Sequence, residues 1–111
     1  MKRLQKKLEK IGKDPKVTAK AVGLRYWLKS DKGIYRRRSA SGFRYVNEEG
    51  KPVRERKVLE RIKKLVIPPA WENVWISPYE NGHLQVTGID TKGRKQYRYH
   101  PDWNRIRNQS K

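Results

Sequence analysis

No cysteine occurs among the 111 residues, and phenylalanine and methionine appear once each. Without cysteine there is no disulfide staple, no thiolate nucleophile and no Cys-based zinc site, and an intracellular, cytoplasmic protein is expected. Long apolar runs are missing as well. No segment approaches the roughly 20 residues of a membrane-spanning helix, and the N-terminus lacks the apolar core of a secretion signal, so no membrane partner is expected. Acids are scarce: 11 Asp and Glu stand against 29 Lys and Arg, for a formal net charge of +18. Such an excess repels itself in a compact state unless a polyanion neutralises it, which makes nucleic acid the leading partner. An anionic membrane surface would need an amphipathic helix with a bulky apolar face, and the chain offers one short candidate. The hydrophobic fraction is low at 34%, but four Trp and six Tyr supply large buried areas. One small domain with a folded centre and loose ends is the expectation.

Along the chain, Leu4, Leu8 and Ile11 fall at helical spacing in a lysine-rich leader, where Gly12 and Pro15 are expected to end any helix. Residues 1–22 are read as a basic, flexible leader and residues 23–111 as the folded domain. The stretch Leu24-Arg25-Tyr26-Trp27-Leu28 has strand-like composition, with Tyr26 and Trp27 read as packing residues. From Gly33 a hairpin is expected, with Ile34 to Arg38 and Phe43 to Val46 around a turn at residues 39–42. Seven basic residues and the single acid Asp31 lie between Arg25 and Arg44, so this hairpin is a concentrated basic patch.

Residues 55–66 predict a helix, since Val58, Leu59, Ile62, Leu65 and Val66 form one apolar stripe. Ile67-Pro68-Pro69 stops it. Trp71, Val74 and Ile76 are expected in the core under that helix, and Trp75 is also read as packing. Residues 74–77 predict a strand, and Asn81-Gly82 turns the chain into an antiparallel neighbour starting near Leu84. Asp90-Thr91-Lys92-Gly93 makes the turn of a second hairpin. Asp102 is the expected N-cap of a closing helix that carries Trp103, Arg107 and Lys111. The fold class is therefore α+β: a small antiparallel sheet of about five strands with one packed helix and short terminal helices.

Chemistry is constrained by what these residues can do together. Two histidines 17 residues apart, without a dense acid cluster, do not suggest a metal site, and His83 reads as a surface or hydrogen-bonded residue. No Ser/His/Asp constellation or glycine-rich phosphate loop is present. No cofactor is expected. Asp90-Thr91-Lys92 has the Asp-x-Lys spacing of metal-dependent nucleases, but the upstream acid it would need, Glu80, falls in a loop. Nucleic-acid binding fits better. On an extended arm Lys95, Tyr97 and Tyr99 share one face, while Arg94, Gln96, Arg98 and His100 share the other. Gln96 suits an adenine edge, and Arg94 or Arg98 a guanine edge or a phosphate. Charge and aromatics alone leave a general RNA-binding or ribosomal-type basic module as the alternative.

Several motifs narrow this choice. Ile67-Pro68-Pro69-Ala70-Trp71, Val74-Trp75-Ile76, Gly82-His83-Leu84-Gln85-Val86-Thr87-Gly88 and Gly93-Arg94-Lys95-Gln96-Tyr97-Arg98-Tyr99-His100 together resemble the N-terminal domain of bacterial type IB DNA topoisomerases, the poxvirus-like branch. The resemblance covers approximately residues 24–111. It implies a domain that closes over one side of double-stranded DNA as a monomer. Lys92, Gln96, Tyr97 and Tyr99 would make major-groove base and phosphate contacts, with Arg94 and Lys95 in support and Arg107 engaging DNA. It also implies transesterification without metal or ATP, through a tyrosine that forms a 3′-phosphotyrosyl link. The nucleophile belongs to a C-terminal catalytic domain that is missing here, as expected for a domain excised from a longer enzyme. Tyr97 and Tyr99 do not match that nucleophile.

Overall fold

Three reversals, at residues 39–42, 77–83 and 90–94, turn the chain back on itself, and each makes neighbouring strands run antiparallel. In the computed structural model, residues 14–29 and 32–109 are described. The expected leader helix around Leu4, Leu8 and Ile11 lies outside them, as does Lys111. The elements are α1 (Pro15–Ala21), β1 (Ile34–Ser39), β2 (Gly42–Asn47), α2 (Arg56–Leu65), β3 (Glu72–Ile76), β4 (Leu84–Ile89), β5 (Lys95–Tyr99) and α3 (Pro101–Gln109). The strands form one antiparallel sheet in the order β2-β1-β3-β4-β5. The α+β expectation holds. β5 is an edge, which leaves one of its sides without a strand partner.

One face of the sheet is closed by α2. Ile62 of the helix packs with Ile34, Ile67, Val74, Ile76 and Val86, and Val58, Leu59, Leu65 and Trp71 border that cluster. Four residues of the expected stripe are there, because period 3.6 on the helix meets period 2 on the strands; the fifth, Val66, is not, since the helix ends before it and its left-handed backbone turns it out to solvent, 75% exposed. Trp75 points the other way and is fully buried. Its ring lies so close to Gly33 that a Cβ there would stand 1.8 Å from Nε1, so the backbone at residue 33 can approach the indole only without a side chain.

A second cluster gathers the helical ends. Ala19 of α1, Leu24 and Trp103 of α3 are buried together, with Val22 and Tyr26 against them. Here the structure corrects three expectations. Pro15 starts a helix: at the first helical position its missing N–H costs nothing, and the Asp14 carboxylate accepts from the backbone N–H of Lys16 at 3.0 Å and of Val17 at 3.4 Å. Residues 14–22, read as part of a flexible leader, thus include a helix that buries Thr18 and Ala19. Residues 24–28 make no regular strand beyond a single bridge between Arg25 and Gly82, because the N–H of Trp27 donates to Nδ1 of His83 rather than to a neighbouring backbone. Asp102 is not the cap of α3. His100 is, its carbonyl accepting from Asn104 N–H at 3.1 Å and its Nδ1 from Asp102 N–H at 3.0 Å.

Candidate nucleic-acid interface

The β4–β5 hairpin is held by one carboxylate. Asp90 accepts from the backbone N–H groups of Lys92 and Arg94, from Arg94 Nε and from Gln96 Nε2, each at 2.9 Å. The Arg94 backbone N–H is the largest cause of a carboxyl pKa lowered to about 2, partly opposed by desolvation and reinforced by the Gln96 and Arg94 side chains. Gly93 sits at φ 77°, a conformation that L side chains rarely adopt. The acid of the Asp-x-Lys pattern is thus occupied in shaping a turn. Among the described residues, no group of three His, Asp or Glu side chains is placed to hold a metal ion.

Along β5 exposure alternates, and the alternation decides which face meets the core. Lys95, Tyr97 and Tyr99 are exposed, the two tyrosines at 49% and 37%, while Gln96 and Arg98 are half-buried. Arg98 reaches the end of α2, where its guanidinium donates to the carbonyls of Leu65 and Val66 and lies 5.7 Å from the Trp71 ring centre. Carbonyls at a helix C-terminus carry partial negative charge, so this arginine serves as a cap. Its reading as a base or phosphate contact is therefore corrected. Gln96 uses its amide N–H on Asp90, and Arg94 uses its Nε there while its side chain stays 64% exposed.

Of the sequence-named residues, Lys95, Tyr97 and Tyr99 come together on one open face, with Lys92 exposed at the hairpin tip. Arg107 joins them from α3, its guanidinium 5.9 Å from the Trp103 ring centre. Gln96 lies on the opposite, half-buried side of β5, and Arg94 in the turn.

Aromatic rings continue that face. Tyr97 stacks on Tyr99 at 6.3 Å and Tyr99 on Trp103 at 6.4 Å. His83 meets Trp103 edge-on at 4.9 Å and stacks on Tyr26 at 4.3 Å. Together they wall an open cleft of about 430 Å³ that Leu28, Leu84 and Arg107 also line. Burial lowers the His83 pKa, and the ring nitrogen that accepts from Trp27 N–H is unprotonated. Burial raises the Tyr99 pKa, which keeps its phenol protonated as a hydrogen-bond donor. Tyr26, Leu28 and His83 were not foreseen as lining this surface. Nothing in local periodicity joins residue 26 to residue 83, since the contact closes through tertiary packing.

The comparisons with known proteins bear on this architecture. Residues 42–90 match the family described as bacterial DNA topoisomerase IB, N-terminal domain. That match runs from β2 to the first residue of the hairpin turn and stops short of β5. The chain is also 49% identical over 67 residues to a DNA topoisomerase 1B of Acanthamoeba polyphaga mimivirus, an alignment that takes in 60% of the chain and 20% of the viral protein.

Proposed function

Since the chain belongs, through residues 42–90, to the N-terminal domain family of bacterial type IB DNA topoisomerases, we propose that it grips duplex DNA as one half of a clamp whose other half carries the chemistry. The β4–β5 hairpin enters the major groove, which admits a two-stranded ribbon. Tyr97 and Tyr99 present their hydroxyls to base edges and phosphate oxygens, while Lys92, Lys95 and Arg107 neutralise the flanking backbone. Arg94 and Gln96 stiffen the turn through Asp90 and add a donor where the groove comes within reach. Strand cleavage, the 3′-phosphotyrosyl link and religation belong to a catalytic domain in the longer enzyme, and this chain alone is inactive. Its tyrosines hold DNA without attacking it, and the Tyr99 phenol, whose pKa is raised by burial, is a poor nucleophile at neutral pH.

One observation carries the reading. Cations on the helix-covered side are spent on internal carbonyls: Arg36 donates to Ile67, Pro68 and Trp71, Arg61 to Ser77, and Arg98 to Leu65 and Val66. Lys95 and its two tyrosines stand instead on an open edge strand. Anisotropy titration of a labelled duplex tests it. The Tyr97→Ala/Tyr99→Ala variant is expected to bind at least about tenfold more weakly, about 1.4 kcal/mol, with its melting temperature little changed. Unaltered binding refutes the assignment, and outcompetition of duplex by single-stranded RNA favours the general RNA-binding alternative.

A further inference from the structure

Strand register places a second group of cations on the same face as the tyrosines. Directly paired residues of antiparallel strands point to one side, and Val46, Tyr35, Trp75, Thr87 and Tyr97 form such a row across all five strands. Two residues further in one common direction lie Arg44 on β2, Arg37 on β1 and Lys95 on β5, all exposed. This end of the face therefore carries cations at both margins.

Arg37 and Arg44 are direct cross-strand partners. Like charges in that relation destabilise a sheet. Among the described residues neither makes an ion pair, and Arg37 has the Tyr35 ring at 5.8 Å as its cationic contact. Glu72, on β3 between the two margins, is exposed and forms no ion pair with either arginine among those residues. An arrangement that costs stability in the free protein is relieved by an anion set against both guanidinium groups.

Spacing identifies which anion. At about 4.8 Å per strand, β1 and β2 stand roughly 14 to 19 Å from β5 across the face. The major groove is about 12 Å wide, so a hairpin seated there leaves β1 and β2 outside it, over a bordering backbone. We propose that Arg37 and Arg44 form a second contact site that clasps phosphates of the DNA strand bordering the groove occupied by the β4–β5 hairpin. The site rests on the duplex-binding reading given above, and it makes the sheet grip DNA at two margins.

The test is a salt titration of duplex binding by the chain and by its Arg37→Gln/Arg44→Gln variant. Loss of two phosphate contacts is expected to flatten the slope of log affinity against log salt by about 1.8, at about 0.9 per phosphate. Because the substitution also removes a like-charge pair, the melting temperature of the free variant is expected to hold or rise while its affinity falls. A misfolded variant would lose melting temperature and affinity together. An unchanged slope, with Tyr97→Ala/Tyr99→Ala still weakening binding, overturns the second site and leaves duplex binding standing. Failure of the parent chain to bind duplex at all removes the reading beneath both.

Discussion

His83 is 3% exposed and lies against the rings of Tyr26, Tyr99 and Trp103, with its Nδ1 accepting the Trp27 N–H. Burial lowers its pKa in the folded chain, so below about 6.5 the unfolded state binds a proton that the folded state resists. More protons on the unfolded side means stability that falls as pH drops through that range. Melting temperatures between pH 7.5 and 5 should decline, and the His83→Gln variant should decline less steeply from a lower starting value. Gly33 makes a second prediction at this scale. A methyl group there meets the immobile Trp75 indole, and Gly33→Ala is expected to lower unfolding free energy by about 1–3 kcal/mol in a denaturant titration. Neither constraint was legible in the sequence. The packing roles of Tyr26 and Trp75 could be read from their bulk, but their partners come from residues brought close only by the fold.

Elements with a strong period were legible, and those resting on one ambiguous residue were not. The α2 stripe and both hairpins follow from spacing, because burial acts on every third or fourth, or every second, position. Pro15 fits a helix start as well as a stop, and His100 displaces Asp102 as a cap by offering both a carbonyl and a ring nitrogen. On β5, alternation gave two faces and no means of choosing between them. The choice came from the end of α2, whose carbonyls take Arg98. That end also carries strain: Val66 adopts φ 47°, ψ 55° while 75% exposed. A β-branched residue in the left-handed region is costly, so Val66→Gly should raise stability by about 1 kcal/mol, read from the denaturation midpoint.

For the whole molecule, the charge of +18 specifies a polyanion but not its kind. Duplex DNA as the partner, and the open side of β5 as its seat, rest on the family resemblance together with the division between cations tied to carbonyls and cations left at the surface. α2 provides the contrast. Its outer side bears Lys57 and Lys64 mixed with Glu60, which pairs with Arg56, as expected of a solvated helix face. An amide-resolved NMR titration of the chain with a short duplex tests the central claim most directly. Duplex binding at the β4–β5 hairpin predicts shifts concentrated at Lys92, Lys95, Tyr97, Tyr99 and the Arg107 turn of α3, with residues 56–64 nearly unmoved. Shifts centred on α2, with β5 unperturbed at saturation, would contradict it.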